Sequence, residues 1–310
     1  MLSLEHIRSI CSGEIHISEP LAPMTSFRIG GPVDIYIEPA NTEELAALVA
    51  YLHESDTAHL VLGNGSNILI SDEGFRGVVL NIEKHFSDLS VDDGVVQAGA
   101  GARLSKFVDF CLRLGMAGSE MLAGIPGTLG GAVIMNAGAY GGEISDYMLD
   151  VTVLREGSVR TLTTQECGFR YRGSDLRRDI VLGARFRFPE GNIDELKARR
   201  KELLLKRNAA QPVQHPNAGS IFKNPEGGYA AKLIEDCGLK GTRFGGAVIS
   251  GQHANFIVND EGAHASDIVD AINHVRRVVY DRTGVELEPE IQLIGFPDDV
   301  IASLKRSTAS

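Results

Sequence analysis

Apolar positions along this 310-residue chain form helical stripes in some stretches and short strand-like runs in others. From Thr42 the spacing of Leu45, Leu48, Val49 and Leu52 draws one stripe. It predicts a helix capped by Thr42, with Glu43 and Glu44 at its positive end. Leu104, Phe107, Val108, Cys111 and Leu112 draw a second, a helix over 104–114 that Gly115 stops. Short apolar runs predict strands at 60–62, 68–70, 78–82 and 95–98. Others follow at 151–154, 159–162 and 180–188, with a hairpin turn at Glu156-Gly157. Residues 193–206 are charged and helical, like a connector, and Gln211-Pro212 with Pro216 then break the pattern. Beyond that break, helices at 229–237 and 265–280 and strands at 247–249, 255–258 and 290–294 predict a separate α/β unit. Helices stand apart from strand runs in the first part, which favours α+β over a doubly wound sheet. The expected organisation is a first domain over 1–190, in two subdomains of about 20–83 and 84–190. A connector over 191–212, a second domain over 213–297 and a flexible tail over 298–310 complete it. No internal repeat or low-complexity segment interrupts this order.

Glycine changes the picture. The stretch Gly124–Gly142 packs seven glycines into nineteen residues, among them Gly127, Gly130, Gly131 and Gly138, with Thr128 and Asn136 between them. Absence of Cβ lets backbone amides lie against a flat or anionic ligand, so the stretch reads as a cradle for a large cofactor; a tight turn packed on a strand is the alternative. A second cradle, Gly63-Asn64-Gly65-Ser66-Asn67, lies between the runs at 60–62 and 68–70. Two cradles suggest a ligand with two ends, such as a dinucleotide. The Rossmann fingerprint does not fit: Ile68 takes the place of the third glycine, and the β-branched 68–81 stretch opens no helix. No Walker lysine follows either cradle.

The net charge of −11 speaks against nucleic-acid binding. Arg199-Arg200-Lys201 and Arg276-Arg277 read as solvated helix faces. Four scattered cysteines and nine histidines form no metal-ligand or disulfide pattern, so no metal is expected and a reducing compartment fits. The start of the chain lacks the basic and apolar succession of a signal peptide, and no apolar run reaches membrane-spanning length.

Seven segments in order resemble the UDP-N-acetylenolpyruvoylglucosamine reductase family. They are Thr25-Ser-Phe-Arg28-Ile-Gly-Gly31, Gly63-Asn-Gly-Ser-Asn67, Gly124-Ile-Pro-Gly-Thr-Leu-Gly-Gly131, Asn136-Ala-Gly-Ala-Tyr140, Phe169-Arg-Tyr-Arg172-Gly-Ser174, Ala218-Gly-Ser220-Ile-Phe-Lys-Asn224-Pro225 and Leu287-Glu-Pro-Glu290. The resemblance spans about residues 20 to 296. It implies a vanillyl-alcohol-oxidase-type (PCMH-type) FAD-binding domain followed by a smaller substrate-binding domain. It also implies a cytoplasmic reaction in which NADPH, through FAD, reduces the enolpyruvyl ether of UDP-N-acetylenolpyruvoylglucosamine to UDP-N-acetylmuramate for peptidoglycan. Only Pro189-Glu-Gly-Asn192 separates the 180–188 strand from the connector, so the chain looks like the shorter form without a tyrosine-bearing loop.

Roles follow from the same resemblance. Ser220 matches the proton donor, although a serine beside glycine would otherwise read as a turn hydroxyl. Arg172 matches the arginine that grips carboxylate charge, and Glu290 the third active residue. Glu288 would share the face of Glu290, and only position in the motif separates them. Tyr171, Lys223 and Asn224 are expected at the substrate, with Arg207 and Gln211 at its diphosphate. Neither cradle holds a histidine or cysteine, so FAD is expected to bind noncovalently. A different flavin oxidoreductase and a non-catalytic nucleotide-sugar sensor are the competing readings. Oligomeric state is not legible.

Overall fold

The protein is described by a computed structural model over residues 2–305. In chain order it contains α1 (Leu4–Ile10), β1 (Glu14–Pro20), β2 (Pro32–Glu38), α2 (Thr42–Glu54), β3 (His59–Leu62), β4 (Ile68–Ile70), β5 (Phe75–Asn81), β6 (Leu89–Asp92), β7 (Val95–Gly99) and α3 (Leu104–Arg113). There follow α4 (Leu129–Ile134), β8 (Gly138–Ala139), β9 (Gly142–Glu143), β10 (Met148–Arg155), β11 (Ser158–Thr163), β12 (Ile180–Arg187) and α5 (Ile193–Ala210). The last part holds α6 (Ala230–Asp236), β13 (Arg243–Phe244), β14 (Ala247–Ile249), β15 (Ile257–Asn259), α7 (Ala265–Thr283), β16 (Gln292–Ile294) and α8 (Asp298–Lys305). The class is α+β, with sheets in the orders β1-β2-β5-β3 and β11-β10-β12-β7-β6 and a small β13-β14-β15 sheet.

The chain divides into two compact units. One comprises residues 1–17, 35–64 and 77–207, the other 18–34, 65–76 and 208–310. This corrects the expected division, in which everything before residue 190 formed one domain. The reason is long-range pairing: β4 runs parallel to β16, with Ile68, Leu69 and Ile70 opposite Gln292, Leu293 and Ile294. Asp72 carboxylate oxygens then accept from the amides of Ala265 and Ser266 at the start of α7. Conversely, the connector helix belongs to the first unit for most of its length.

In the first unit the α2 stripe is buried as its spacing requires, but Asn41 caps the helix rather than Thr42, accepting from the Glu44 amide at 2.9 Å. An asparagine carbonyl reaches back over the first turn without the χ1 restriction of threonine. Phe107 of α3 packs against Phe186 of β12, ring centroids 5.0 Å apart. The β10–β11 hairpin turns at Glu156-Gly157, both with positive φ. After β12 the short loop is pinned, with the Ala117 amide donating to Pro189 and that of Gly191 to Gly115.

The second unit packs α6 and α7 around Phe27, Leu69, Ile221, Phe222, Ile249 and Ile257. Two expectations fail here. Residues 298–305 form a helix rather than a loose tail, because Leu304 is buried and Val300 packs on the same core; residues 306–310 lie outside the described residues. Arg276 is not on a solvated face: it is 5% exposed, donating from Nε to the Leu287 carbonyl and from Nη1 to that of Ser303. Its neighbour Arg277 is exposed.

The four cysteines are unpaired and buried, and burial pushes the Cys111 thiol up to about 12. Among the described residues no helix is long and apolar enough to cross a membrane, and no group of histidine, cysteine or carboxylate side chains could hold a metal.

Arg276→Ala should strand the buried Leu287 carbonyl and lower unfolding free energy by about 1–3 kcal/mol in urea titration. Arg277→Ala should change it by less than about 0.5 kcal/mol. Equal effects would mean that the buried bonds carry no stability.

Candidate active site

In the first unit the large glycine stretch is not all loop. Leu129–Ile134 forms α4, with Leu129, Ala132 and Val133 buried. Before it the backbone lies along residues 100–104: Leu104 N donates to Gly127 O at 3.0 Å, Leu129 N to Ala102 O at 2.8 Å, and Gly130 N to Ala100 O at 2.8 Å. The Gly130 amide is therefore already used, and a Cβ there would meet Ala100 Cβ at 3.0 Å. A Cβ on Gly63 would lie 2.2 Å from Thr128 Oγ1. Gly63 and Gly130 thus first let protein approach protein, so the tight-packing alternative holds for part of the cradle. Gly131 differs: it is exposed, and a Cβ would meet only Thr128 Oγ1 at 3.8 Å. Backbone left open in this way can lie directly against a cofactor.

Asn136 follows, 1% exposed and in the left-handed region. Its Nδ2 donates to Glu143 Oε2 at 2.5 Å and to the Arg170 carbonyl at 3.3 Å. Its Oδ1 is buried with no hydrogen-bond partner among the described residues. An orphaned buried acceptor costs on the order of 1–3 kcal/mol unless a ligand supplies a donor, so Asn136 and open Gly131 together fit a dinucleotide with a polar ring.

Arg172 sits in a turn, not on a strand. Arg170 and Gly173 exchange both backbone bonds, at 3.0 and 3.1 Å, and leave Tyr171 and Arg172 at the tip. Arg172 has φ +55°, donates from Nη2 to the Gly138 carbonyl at 3.0 Å, and lies 5.0 Å over the Tyr171 ring. Fully buried Ser174 donates to the Ile134 carbonyl at 2.8 Å. With Asn136 on the Arg170 carbonyl, three bonds lace this turn to residues 134–138. Arg207, near the end of the unit, packs against Gly124 and has no hydrogen-bond or ion-pair partner among the described residues. Burial pushes its guanidinium below the ordinary arginine value, partly offset by Tyr140.

The second unit holds the other expected residues. Glu290 N donates to Ile221 O at 2.7 Å, and Lys223 N to Glu288 O at 2.9 Å, so the Ser220 and Glu290 segments run side by side. Asn255, 4% exposed, accepts from Phe222 N through Oδ1 and donates back to Phe222 O through Nδ2. No sequence pattern singled out Asn255; an asparagine buried in an apolar run was the available signal. The Ser220 hydroxyl makes no hydrogen bond among the described residues, so the turn-hydroxyl alternative is not realised. Asn67 accepts from Gln292 N at 3.1 Å, and its Nδ2 donates to the Glu290 carbonyl at 3.4 Å. Gly65, with φ +58°, accepts from Ser26 N at 3.1 Å. The Gly63–Asn67 loop therefore begins in the first unit, with Gly63 and Asn64, and continues in the second.

Two expected substrate residues are already engaged. Lys223 Nζ pairs with Glu288 Oε1 at 2.6 Å, so Glu288 neutralises the lysine. Asn224 Oδ1 accepts from Ala230 N at 3.1 Å at the start of α6. Gln211 lies in the second unit, whereas Arg207 closes the first.

Family profiles of known proteins match two successive parts of the chain. A family profile described as an FAD binding domain matches residues 33–165, and the chain is an FAD-dependent oxidoreductase. A second profile, the C-terminal domain of UDP-N-acetylenolpyruvoylglucosamine reductase, matches residues 211–294. The reductase of that name from Caldanaerobacter subterraneus subsp. tengcongensis is 43% identical over 91% of this chain and 94% of its own length. That from Chloroherpeton thalassium is 42% identical over 97% of this chain and 99% of its own. The crystal structure of the Thermus caldophilus reductase (MurB) superimposes with a TM-score of 0.78 at 35% identity, covering 91% of this chain and 98% of that one. The chain belongs to the UDP-N-acetylenolpyruvoylglucosamine reductase family.

Gly131→Ala should act in opposite directions on protein and cofactor. In the flavin-free protein it should raise unfolding free energy by about 0.5–1 kcal/mol, the ordinary gain of alanine over glycine in a helix. In the purified protein it should lower the ratio of flavin to protein absorbance. Full flavin content would remove Gly131 from the cofactor surface.

Proposed function

We propose that the chain catalyses NADPH-dependent reduction of the enolpyruvyl ether of UDP-N-acetylenolpyruvoylglucosamine to UDP-N-acetylmuramate, a cytoplasmic step of peptidoglycan precursor synthesis. A reaction drawing on NADPH and a UDP-sugar belongs where both are made. The observation that supports the residue roles is the pairing of the Ser220 and Glu290 segments, with a serine hydroxyl that makes no hydrogen bond among the described residues. Bound FAD supplies hydride transfer, from NADPH to one carbon of the enol ether. Gly131 and its neighbours would receive the cofactor's backbone, and Asn136 Oδ1 would accept from an N–H of its ring. Binding is noncovalent, since residues 63–67 and 124–142 contain no histidine or cysteine.

Hydride addition leaves enolate charge shared between the α-carbon and the substrate carboxylate. Arg172, already oriented by Gly138 and stacked on Tyr171, is the planar cation to hold that charge. Ser220 then gives its proton to the α-carbon. A serine is a weak acid, so the step relies on the high basicity of the enolate and on nearby cations. Glu290 polarises the reacting group. Arg207 is matched to the substrate diphosphate, because a largely buried guanidinium without a partner is costly until an anion arrives. Gln211 is the second candidate for the diphosphate. Lys223 and Asn224 serve the substrate through the geometry of their segment.

Rapid mixing separates the two half-reactions. Ser220→Ala should leave bleaching of the flavin by NADPH near the wild-type rate, while reoxidation by the enolpyruvyl UDP-sugar slows about a thousandfold, roughly 4 kcal/mol of transition-state stabilisation. Ser220→Cys should recover part of the rate. Arg172→Ala should likewise lower reoxidation and spare bleaching. Reoxidation of Ser220→Ala at the wild-type rate would transfer the proton to another donor.

A further inference from the structure

We infer that Asn217 is the positioning residue for Ser220, holding the backbone that carries the proton-donating hydroxyl and tying it through Ser26 to the cofactor loop at Gly65. The inference rests on the reading of Ser220 as proton donor. Asn217 Oδ1 accepts from Gly219 N at 2.9 Å, closing a turn in which a side-chain oxygen takes the amide two residues on. Its Nδ2 donates to the carbonyls of Pro212 at 3.2 Å and His215 at 2.7 Å. Its backbone amide donates to Ser26 O at 3.1 Å. Ser26 in turn donates to the Gly65 carbonyl, from N at 3.1 Å and from Oγ at 3.4 Å.

These bonds place Ser220 at the end of a continuous path, Gly65 to Ser26 to Asn217 to Gly219. On its other side Ile221 N is fixed to Asn255 O at 2.9 Å. The backbone is thus pinned on both flanks of Ser220, and the hydroxyl between them is uncommitted. Gly219 sits at φ +76° with nothing within 4 Å of a would-be Cβ, so the turn conformation, not crowding, calls for glycine there. A weak acid must be delivered at the right distance and angle, and a misplacement of about 1 Å can cost about a hundredfold in rate. The path also explains the Thr25-Ser26-Phe27 segment, which touches none of the reacting groups assigned above. Its Thr25 side chain bonds Ile29 in both directions, and the Phe27 carbonyl accepts from Asn259. Ser26 is therefore a rigid spacer between cofactor loop and proton donor.

The test compares Asn217→Ala and Asn217→Asp in the holoenzyme. Aspartate keeps the acceptor for Gly219 N and loses the Nδ2 donors; alanine loses both. Bleaching by NADPH should be unchanged in Asn217→Ala, whereas reoxidation by the UDP-sugar slows about ten- to a hundredfold with a larger solvent deuterium isotope effect. Asn217→Asp should recover most of that rate. In the flavin-free protein, amide exchange across residues 217–222 should accelerate in Asn217→Ala and stay slow in Asn217→Asp. On a Ser220→Ala background, Asn217→Ala should add no further slowing, because the group it positions is gone. Should the alanine variant fail to fold, Asn217→Ser, with a shorter acceptor, should fall between wild type and Asn217→Asp on one side and Ser220→Ala on the other. Wild-type reoxidation in Asn217→Ala, or an equal loss in both half-reactions, would overturn the inference. If Ser220→Ala itself reoxidises normally, the proton-donor reading fails; if it is slow while Asn217→Ala is not, only the positioning role fails.

Discussion

Parallel pairing of residues 68–70 with 292–294 is the constraint on which much of the second unit depends. It draws a short early segment into the C-terminal unit and fixes its register there. That register puts the Asn67 amide at the Glu290 carbonyl and the Gly65 carbonyl at Ser26. A slip of one residue would turn every side chain of β4 to the opposite face, taking fully buried Leu69 out of the core. Burial of Leu69 is therefore what keeps residues 65–67 in step with the Glu290 segment and, through Ser26 and Asn217, with the Ser220 segment. Such pairing between distant parts of the chain carries a large loop-closure cost, which packing of the Phe27, Ile221 and Ile272 core must outweigh.

A different economy governs the glycine-rich stretch. Gly63 and Gly130 remove side chains so that Thr128 and Ala100 can be approached, whereas Gly131 is left open. Polar groups in the same region divide likewise. Asn136 spends its nitrogen on Glu143 and Arg170 and keeps its oxygen, while Arg172 is held by Gly138 before any substrate charge is present. On the proposed assignment, the reacting charge would meet a cation that needs little reorganisation, which is how such groups contribute most.

Secondary structure was legible where apolar spacing was regular, as in the buried stripes of α2 and α3. It was not legible in α4, where two glycines in the first turns depress helix propensity and the helix exists because Leu129, Ala132 and Val133 are buried. The division into units escaped the sequence because it is set by pairing across most of the chain's length, which no local window contains. Arg276 read as a surface charge because nothing local shows that the Leu287 and Ser303 carbonyls surround it. The C-terminal helix was missed because its stripe is only two turns long. The roles proposed for Ser220, Arg172 and Glu290 rest solely on seven ordered segments; each alone looks like an ordinary turn or surface residue. The Gly219 turn could have been read directly, from an asparagine two residues before a glycine.

The reaction asks for a hydride and a proton at neighbouring carbons, and the residues proposed to support them are found in both units. Asn136, Gly131 and Arg172 belong to the first, Ser220 and Glu290 to the second. Bonds internal to each unit fix each set: residues 134–138 hold the arginine turn, and Asn217 with Asn255 holds the serine. The Gly63–Asn67 loop belongs to both, since Gly63 lies against Thr128 in one and Asn67 against the Glu290 backbone in the other. Its glycines and asparagines consequently cannot be assigned to cofactor binding alone. On the proposed assignment, a change at Gly63 would act first on the cradle at Thr128, and a change at Asn67 first on the glutamate. The two ends of one five-residue loop should thus separate, kinetically, into opposite half-reactions.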